Sequence, residues 1–128
     1  MARNISVILL YDSKKRFLLQ HRSDDSNRAP GKWGFFGGGI EKRENSLDAV
    51  KRECFEELSY TLKNPKFLFK EIVNVEDTMY VYVEEFDETK KLNLNEGKDM
   101  GWFFPEETKK LDIIPYDRDI LLKINNKI

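Results

Sequence analysis

A run of glycines followed at once by an amphipathic helical pattern constrains this chain more than any other feature. Residues 37–39 are all glycine, and between residues 45 and 59 apolar side chains recur at steps of three and four, which indicates a helix with one buried face. The apolar stripe consists of Leu47, Val50, Cys54 and Leu58. Asn45 suits the N-cap, and Asp48 stands three positions later, as in a capping box. The sequence therefore predicts a glycine turn that leads into a helix packed on a core.

Three glutamates crowd one face of the same predicted helix. Glu53, Glu56 and Glu57 are spaced i, i+3 and i+4, so their side chains should converge opposite the apolar stripe. Like charges at this spacing destabilise a helix by roughly 0.2–0.5 kcal/mol per pair. A divalent cation such as Mg²⁺ or Mn²⁺ reverses that cost, because hard cations take carboxylate ligands and keep waters that a substrate phosphate can replace. The pattern predicts a Mg²⁺ or Mn²⁺ site, with an ordinary solvated helix face as the alternative.

Residues that flank the glutamates can complete such a site. Glu44 stands just before the helix, where it can meet the positive end of the helix dipole or join the acidic cluster. Arg52 can brace one of the carboxylates through a bidentate ion pair. Gly37 and Gly38 let the backbone approach a metal or a diphosphate closely, because no Cβ intervenes. A carbonyl group of either glycine is therefore a candidate metal ligand.

The spacing of these residues resembles the signature of the Nudix hydrolases. Six residues occupy the glycine, glutamate and arginine positions that precede the final glycine of that signature: Gly38, Glu44, Arg52, Glu53, Glu56 and Glu57. A chance match at all six is on the order of 10⁻⁴ or rarer. Ser59 replaces the final glycine, Tyr60 replaces an aliphatic residue, and Cys54 stands where an aliphatic residue is usual. These departures concern local geometry and touch no candidate ligand.

The resemblance extends beyond the signature and implies a fold and a reaction. Glu96, Trp102 and Pro105 are similar to the later acidic residue, strand and helix start of the family. The implied fold is an α/β/α sandwich on a mixed β-sheet, and the implied reaction is attack of water on a phosphorus of a nucleoside diphosphate derivative. The implied catalytic set comprises Glu44, Arg52, Glu53, Glu56 and Glu57. The implied metal ligands are Gly37, Gly38, Glu53, Glu56, Glu57 and Glu96, and one glutamate of this group serves as the base.

Two residues outside the signature are candidates for binding the substrate. Arg22, which ends the second predicted strand, lies where MutT-like relatives carry an arginine, so a phosphate contact and a surface charge are both open. Asp117 lies where such relatives often place a group that hydrogen-bonds the base, although it could simply stabilise a helix start. Trp33, Phe35 and Tyr80 could stack on a base, but core packing is the favoured interpretation.

The substrate class stays open, because many nucleotides present the same diphosphate. A nucleoside triphosphate is favoured, since no extra domain precedes the first predicted hairpin and an ionised Asp117 would accept hydrogen bonds from a guanine edge. ADP-ribose, nucleotide sugars and dinucleotide polyphosphates are alternatives. A Nudix-like module that binds a nucleotide without turnover is a different kind of function, and the intact acidic cluster argues against it.

The rest of the chain predicts an α/β protein. We expect strands at residues 5–11, 16–21, 33–36, 67–75, 79–86 and 100–104, and helices at 45–59, 105–111 and 116 to about 125. The glycines at 37–39 should end the third strand. Strands and helices interleave without regular βαβ repetition, which favours a mixed sheet with helices on its faces. The order of the strands does not follow from the pattern.

Length, charge and cysteine content exclude several classes of function. A chain of 128 residues suits one domain, residues 1–128. Lys and Arg number 22 against 23 Asp and Glu, and this net charge of -1 argues against extended nucleic acid as a partner. The apolar run at residues 5–11 is too short to span a membrane. The single cysteine, Cys54, allows no internal disulfide, so we expect a cytoplasmic protein. A homodimer is one option for its oligomeric state.

Overall fold

A seven-stranded mixed sheet forms the centre of the computed structural model, which describes residues 2–124, 127 and 128. Its strands are β1 (Asn4–Tyr11), β2 (Phe17–His21), β3 (Trp33–Gly34), β4 (Phe36–Gly39), β5 (Lys66–Val73), β6 (Asp77–Glu85) and β7 (Asp99–Phe103). The main order is β3-β2-β1-β6-β5, while β4 pairs with β1 and β7 pairs with β2. Strands β1 and β6 run parallel, and the other pairs are antiparallel. This arrangement places β4 beside β1, the middle strand of the main order.

Helices cover both faces of the sheet. They are α1 (Ser46–Leu58), a short 3₁₀ helix (Pro105–Lys110) and α2 (Pro115–Ile124). Side chains of β1 alternate between the faces. On one face, the core cluster contains Ile8, Leu10, Phe36, Val50, Cys54 and Leu58. On the other face, it contains Val7, Leu9, Val81, Ile120, Leu121 and Ile124. The predicted α/β architecture, a mixed sheet between helices, is confirmed.

The predicted helix at residues 45–59 is confirmed almost to the residue. Asn45 is the N-cap, and its side chain accepts a 2.8 Å hydrogen bond from the backbone N–H of Asp48. Ser59 is the C-cap in the left-handed conformation, with φ 54°, and its N–H donates to Phe55 O over 2.9 Å. The apolar stripe faces the sheet because Val50, Cys54 and Leu58 are fully buried. None of the helices within the described residues is long and apolar enough to cross a membrane.

The prediction that the three glycines end a strand was wrong. They lie within β4, which pairs with β1 at Val7↔Gly37 and Ser6↔Gly38. Gly37 has φ 141°, and a Cβ there would lie 2.2 Å from Ser6 O. Glycine is therefore required because the backbones of β1 and β4 approach closely, and not because a turn follows.

Other differences from the predicted elements concern their ends. The strand predicted to reach residue 75 stops at Val73, because Asn74 and Val75 take positive φ angles of 49° and 74° and form the turn. Asp77, predicted in that turn, begins β6. The helix predicted at residues 105–111 is a 3₁₀ helix that ends at Lys110. The predicted end of the last helix, near Asn125, lies outside the described residues.

Candidate active site

Helix α1 and strand β4 place Glu57 in the interior of the molecule. Its carboxylate oxygen Oε1 accepts a 2.8 Å hydrogen bond from the N–H of Gly37, and the residue is only 4% exposed. Burial, together with the nearby carboxyl groups of Glu53 and Glu96, raises the pKa of Glu57 to about 9. The negative charge of a carboxylate in this position is energetically unfavourable unless a cation lies near it.

Glu53 lies one turn earlier on α1, over the backbone of β4. A Cβ built on Gly38 would lie 2.6 Å from Oε1 of Glu53, so the carboxylate fills the space that the glycine leaves. Burial also raises the pKa of Glu53, against the opposing effect of Arg52. Gly38 is thus needed to let this carboxylate reach the sheet.

Arg52 connects the remaining acidic residues of the signature. Its Nε and Nη2 donate to the two carboxylate oxygens of Glu44, over 2.7 and 3.0 Å. Its Nη1 donates to Glu53 over 3.0 Å and to Glu56 over 2.8 Å, and Nη2 also reaches the carbonyl of Gly39. The Arg52 hydrogen bonds lower the pKa of Glu44. Arg52 therefore braces three carboxylates where the sequence predicted one, and Glu44 serves to hold Arg52.

Glu53, Glu57 and Gly37 line a cavity with a volume of about 550 Å³. Its polar lining includes Gln20, Arg22, Glu53, Glu57, Asn95 and Glu96. Glu96 comes from the loop before β7, and its carboxyl group is close enough to contribute to the raised pKa of Glu57. Three carboxylates from two distant parts of the chain therefore face one another across this space.

The prediction that Glu53, Glu56 and Glu57 converge on one face was wrong in part. The Glu56 side chain is 52% exposed and is held by Arg52 at the surface. Glu96 takes its place beside Glu53 and Glu57 in the cavity. Within the described residues, no group of three or more acidic, histidine or cysteine side chains is spaced to hold a metal ion.

The donor set nevertheless fits a hard divalent cation. The oxygens that face the cavity belong to carboxylates, which are the ligands that Mg²⁺ and Mn²⁺ prefer. Burial raises the pKa of Glu57, and it raises that of Glu53 even though Arg52 binds this carboxylate, as expected for a pair that needs further positive charge nearby. A bound cation would supply that charge.

Asp117 lies in a second cavity that adjoins the first. This cavity has a volume of about 460 Å³, and its mixed lining combines the basic residues Arg3, Arg22, Arg28 and Lys32 with apolar side chains such as Ile5, Val7, Phe35, Met79 and Ile114. Gly37 and Arg22 line both cavities. Asp117 is 3% exposed, and its Oδ2 accepts a 3.1 Å hydrogen bond from Phe35 N, while its Oδ1 has no hydrogen-bond partner in the described chain. Burial raises the pKa of Asp117 to about 7.

Arg22 organises the loop at residues 22–32 between the two cavities. Its Nε donates to Arg28 O over 2.8 Å, and its Nη2 donates to Ser26 Oγ over 2.9 Å. The side chain thus holds the loop and also borders both cavities. Of the three aromatic residues considered for stacking, Phe35 belongs to the core and also lines the second cavity, and Trp33 stacks on His21 with ring centroids 4.5 Å apart. Tyr80 is partly buried and packs against the core cluster beneath α1.

Sequence reasoning missed two residues of the site, Gln20 and Asn95. Gln20 is a buried polar residue in β2, and its Nε2 donates to Glu96 O over 3.3 Å. Its position inside the otherwise apolar run at residues 17–20 was the available signal. Asn95 binds the C-terminal end of α1, and no local pattern indicates that contact.

Replacing Gly38 with Ala should displace the Glu53 carboxylate without unfolding the protein. The new Cβ meets the flexible end of the Glu53 side chain, so we expect hydrolysis to fall about 10- to 100-fold. The free energy of unfolding should stay within about 1 kcal/mol of wild type. Gly39→Ala is the matched control, because a Cβ there makes an ordinary 3.6 Å contact with Arg3. Rates and urea unfolding measured on both variants check this, and equal activity in the two would contradict it.

The buried Asp117 should make stability depend on pH. Its pKa is raised in the folded protein, so its contribution is fully present below the unfolded pKa of about 4 and is lost as pH rises through about 7. Asp117→Asn keeps an acceptor for Phe35 N and removes the charge. We therefore expect the free energy of unfolding of the variant, relative to that of wild type, to increase by roughly 1–3 kcal/mol as the pH rises from 5 to 8.5. Urea unfolding of both proteins at pH 5 and at pH 8.5 measures this change. The same difference in stability between variant and wild type at both pH values would exclude titration of Asp117.

Comparison with known proteins agrees with the class that this geometry defines. A glycine strand set against an acidic helix on a mixed sheet is the arrangement of a Nudix domain, and residues 1–124 match the family model described as NUDIX domain. The chain belongs to the Nudix family and is a hydrolase.

Particular relatives come from sequence and from structure. The nucleoside triphosphatase NudI of Escherichia fergusonii is 28% identical over 127 residues, which cover 88% of this chain and 90% of that protein. The MutT protein of Methanosarcina mazei Go1 has a TM-score of 0.84 at 22% identity, covering 98% of this chain and 94% of that one. The NUDIX domain of Shewanella oneidensis NrtR, solved with ADP ribose, has a TM-score of 0.82 at 14% identity over 99% of this chain and 88% of that one. The two solved structures are similar to this chain in fold.

Proposed function

We propose that this protein hydrolyses a nucleoside triphosphate to the monophosphate and pyrophosphate with the help of Mg²⁺ or Mn²⁺. In this reaction a water oxygen bonds to phosphorus, the bridging P–O bond breaks, and pyrophosphate leaves. The observation that carries the proposal is the pair of adjoining cavities. One is lined by carboxylates and suits a cation with its polyphosphate, and the other combines apolar side chains with Asp117 and several basic residues and suits a nucleoside. The similarity to a nucleoside triphosphatase supports the same substrate class.

The carboxylates of the first cavity would hold the cation. The carboxylates that face that cavity are those of Glu53, Glu57 and Glu96. Further candidate ligands are the Glu56 carboxylate and the carbonyl group of Gly37 or Gly38. When bound, a divalent cation neutralises phosphate charge and lowers the pKa of water. The base that takes the proton of the attacking water is then one of the glutamates that face the cavity. Their positions are held by the Gly37 N–H and by Arg52.

Residues around the second cavity would select the nucleoside. Phe35 and Tyr116 offer apolar surface to a base, and the unpartnered Oδ1 of Asp117 offers an acceptor within that surface. An ionised carboxylate accepts hydrogen bonds and donates none, so it favours a base edge with adjacent donors, as guanine has. Arg22 borders both cavities, where the phosphates of such a substrate would lie, and its guanidinium group would bind them.

Replacing Asp117 with Ala should flatten the preference among bases. Without the carboxylate, a guanine edge loses its partner, and discrimination worth about 1–3 kcal/mol should disappear. Asp119→Ala is the matched control, because Asp119 lies on the same helix and is exposed. We expect kcat/KM for GTP to fall toward that for the other triphosphates in the first variant only. An unchanged ranking of bases would show that Asp117 has no part in recognition.

A substrate panel tests the proposed function. Initial rates with Mg²⁺ should be measured for the four ribonucleoside triphosphates, ADP-ribose, a nucleotide sugar and a dinucleotide polyphosphate. We expect the kcat/KM of at least one nucleoside triphosphate to exceed that of ADP-ribose, the nucleotide sugar and the dinucleotide polyphosphate by about 10-fold or more. A preference for ADP-ribose or a nucleotide sugar would overturn the substrate that we propose.

We also infer a cytoplasmic location, because Cys54 is a buried free thiol and the sequence holds no second cysteine.

A further inference from the structure

The C-terminal end of α1 is capped by the loop that carries Glu96. The last carbonyl groups of a helix have no partner within the helix. Here the N–H of Asn93 donates to Leu58 O, and the N–H of Asn95 donates to Glu57 O, each over 2.9 Å. The side-chain nitrogen of Asn95 donates to Glu56 O over 3.0 Å. Asn95 therefore holds the turn of α1 that bears two of the signature glutamates.

Ser59 adds a contact that the usual glycine of the signature could not make. The Nδ2 group of Asn95 also donates to Ser59 Oγ, over 2.9 Å. Ser59 takes the left-handed conformation there, with φ 54°, which is unfavourable for a residue with a Cβ. The hydroxyl group offers a compensating hydrogen bond to the loop. The departure from the family pattern thus coincides with a link between α1 and residue 95.

Glu96 follows Asn95 directly and is fixed on its other side as well. Its carbonyl oxygen accepts from Gln20 Nε2 over 3.3 Å. Gly97 has φ 84° and lies so close to β2 that a Cβ would be 2.9 Å from His21 O. The backbone on both sides of Glu96 is therefore tied to an element of the site, to α1 through Asn95 and to β2 through Gln20 and Gly97.

We propose that Asn95 and Ser59 are positioning residues that hold the carboxylate of Glu96 beside Glu53 and Glu57 for binding of the divalent cation. This inference rests on the proposed function, because it takes Glu96 as a ligand of that cation. Loss of the Asn95 side chain removes two hydrogen bonds to α1 and leaves the backbone bond of residue 95 in place. The loop can then shift along the end of the helix, and Glu96 moves with it.

A double-mutant cycle separates positioning of Glu96 from simple capping of the helix. Binding of Mn²⁺ would be measured by electron paramagnetic resonance of the free ion for wild type, Asn95→Ala, Glu96→Gln and the double variant. We expect each single variant to bind Mn²⁺ about 10-fold more weakly, and the double variant to match Glu96→Gln. A capping effect alone would add to that of Glu96→Gln, and this result would overturn the inference. Wild-type affinity in Asn95→Ala would also overturn it.

Two further variants keep the test decisive. Asn93→Ala is the matched control, because the Asn93 side chain is exposed and only its backbone forms hydrogen bonds within the described residues. Its Mn²⁺ affinity should equal that of wild type. If Asn95→Ala does not fold, Ser59→Ala removes the hydroxyl acceptor alone. It should weaken Mn²⁺ binding by a smaller factor, again without further effect in the Glu96→Gln background. Additive effects of Ser59→Ala and Glu96→Gln would overturn the inference.

Failure of the inference can be distinguished from failure of the proposed function. Wild-type Mn²⁺ affinity in Glu96→Gln would remove Glu96 from the ligands and overturn the inference with it. If the cycle is non-additive as expected but no triphosphate is hydrolysed, the proposed substrate is wrong while the positioning role of Asn95 stands.

Discussion

Glu57→Gln is expected to reduce hydrolysis about 100- to 1,000-fold while making the metal-free protein more stable. Glutamine keeps an oxygen that accepts from Gly37 N–H, so the contact between α1 and β4 survives. It removes the negative charge that would hold the cation. The rate should therefore fall because the cation is bound weakly or in the wrong place, and not because the fold is lost.

The expected gain in stability has a separate physical cause. Glu57 is 4% exposed and faces Glu53 and Glu96, so its charge is both desolvated and repelled when no cation is present. Removing that charge should raise the free energy of unfolding in EDTA by roughly 1–3 kcal/mol. Glu106→Gln, on the exposed surface of the 3₁₀ helix, is the control and should change neither quantity. Lower thermal stability of Glu57→Gln in EDTA would mean that the acidic cluster serves the fold.

Removal of divalent cations is expected to lower turnover at least about 1,000-fold. The polyphosphate would then meet the carboxylates of Glu53, Glu57 and Glu96 without a compensating charge. Addition of Mg²⁺ or Mn²⁺ in excess of EDTA should restore the rate. It should also stabilise the protein, by about 2.7 kcal/mol when the free cation is at 100 times its dissociation constant. A rate in EDTA that equals the rate with Mg²⁺ would rule out the site that we propose.

The signature helix could be predicted from sequence because its signals are local. The apolar spacing, the Asn45 cap and the position of Ser59 all lie within one element, and α1 begins and ends next to these two residues. The mixed sheet with helices on its faces followed from the interleaving of strand and helix patterns. The order of the strands did not, because pairing of β1 with both β4 and β6 depends on contacts between distant segments.

The composition of the candidate site was harder to predict for the same reason. Periodicity places three glutamates on one face, but only the packing of α1 on β4 decides that Glu57 is buried and Glu56 exposed. The hydrogen bond between Gln20 and Glu96 joins residues 76 positions apart, and no local rule indicates it. The glycines of β4 were misread as a turn because a close approach of two strands and a tight turn leave the same residue type in the sequence.

The products formed from GTP test the central claim most directly. Wild-type protein would be incubated with GTP and Mg²⁺, and the products followed by phosphorus NMR, with Glu57→Gln as the inactive reference. We expect GMP and pyrophosphate in equal amounts, and no signal from GDP or inorganic phosphate at early times. Release of GDP and phosphate, or no hydrolysis of any nucleoside triphosphate by a folded, Mn²⁺-binding protein, would contradict the account.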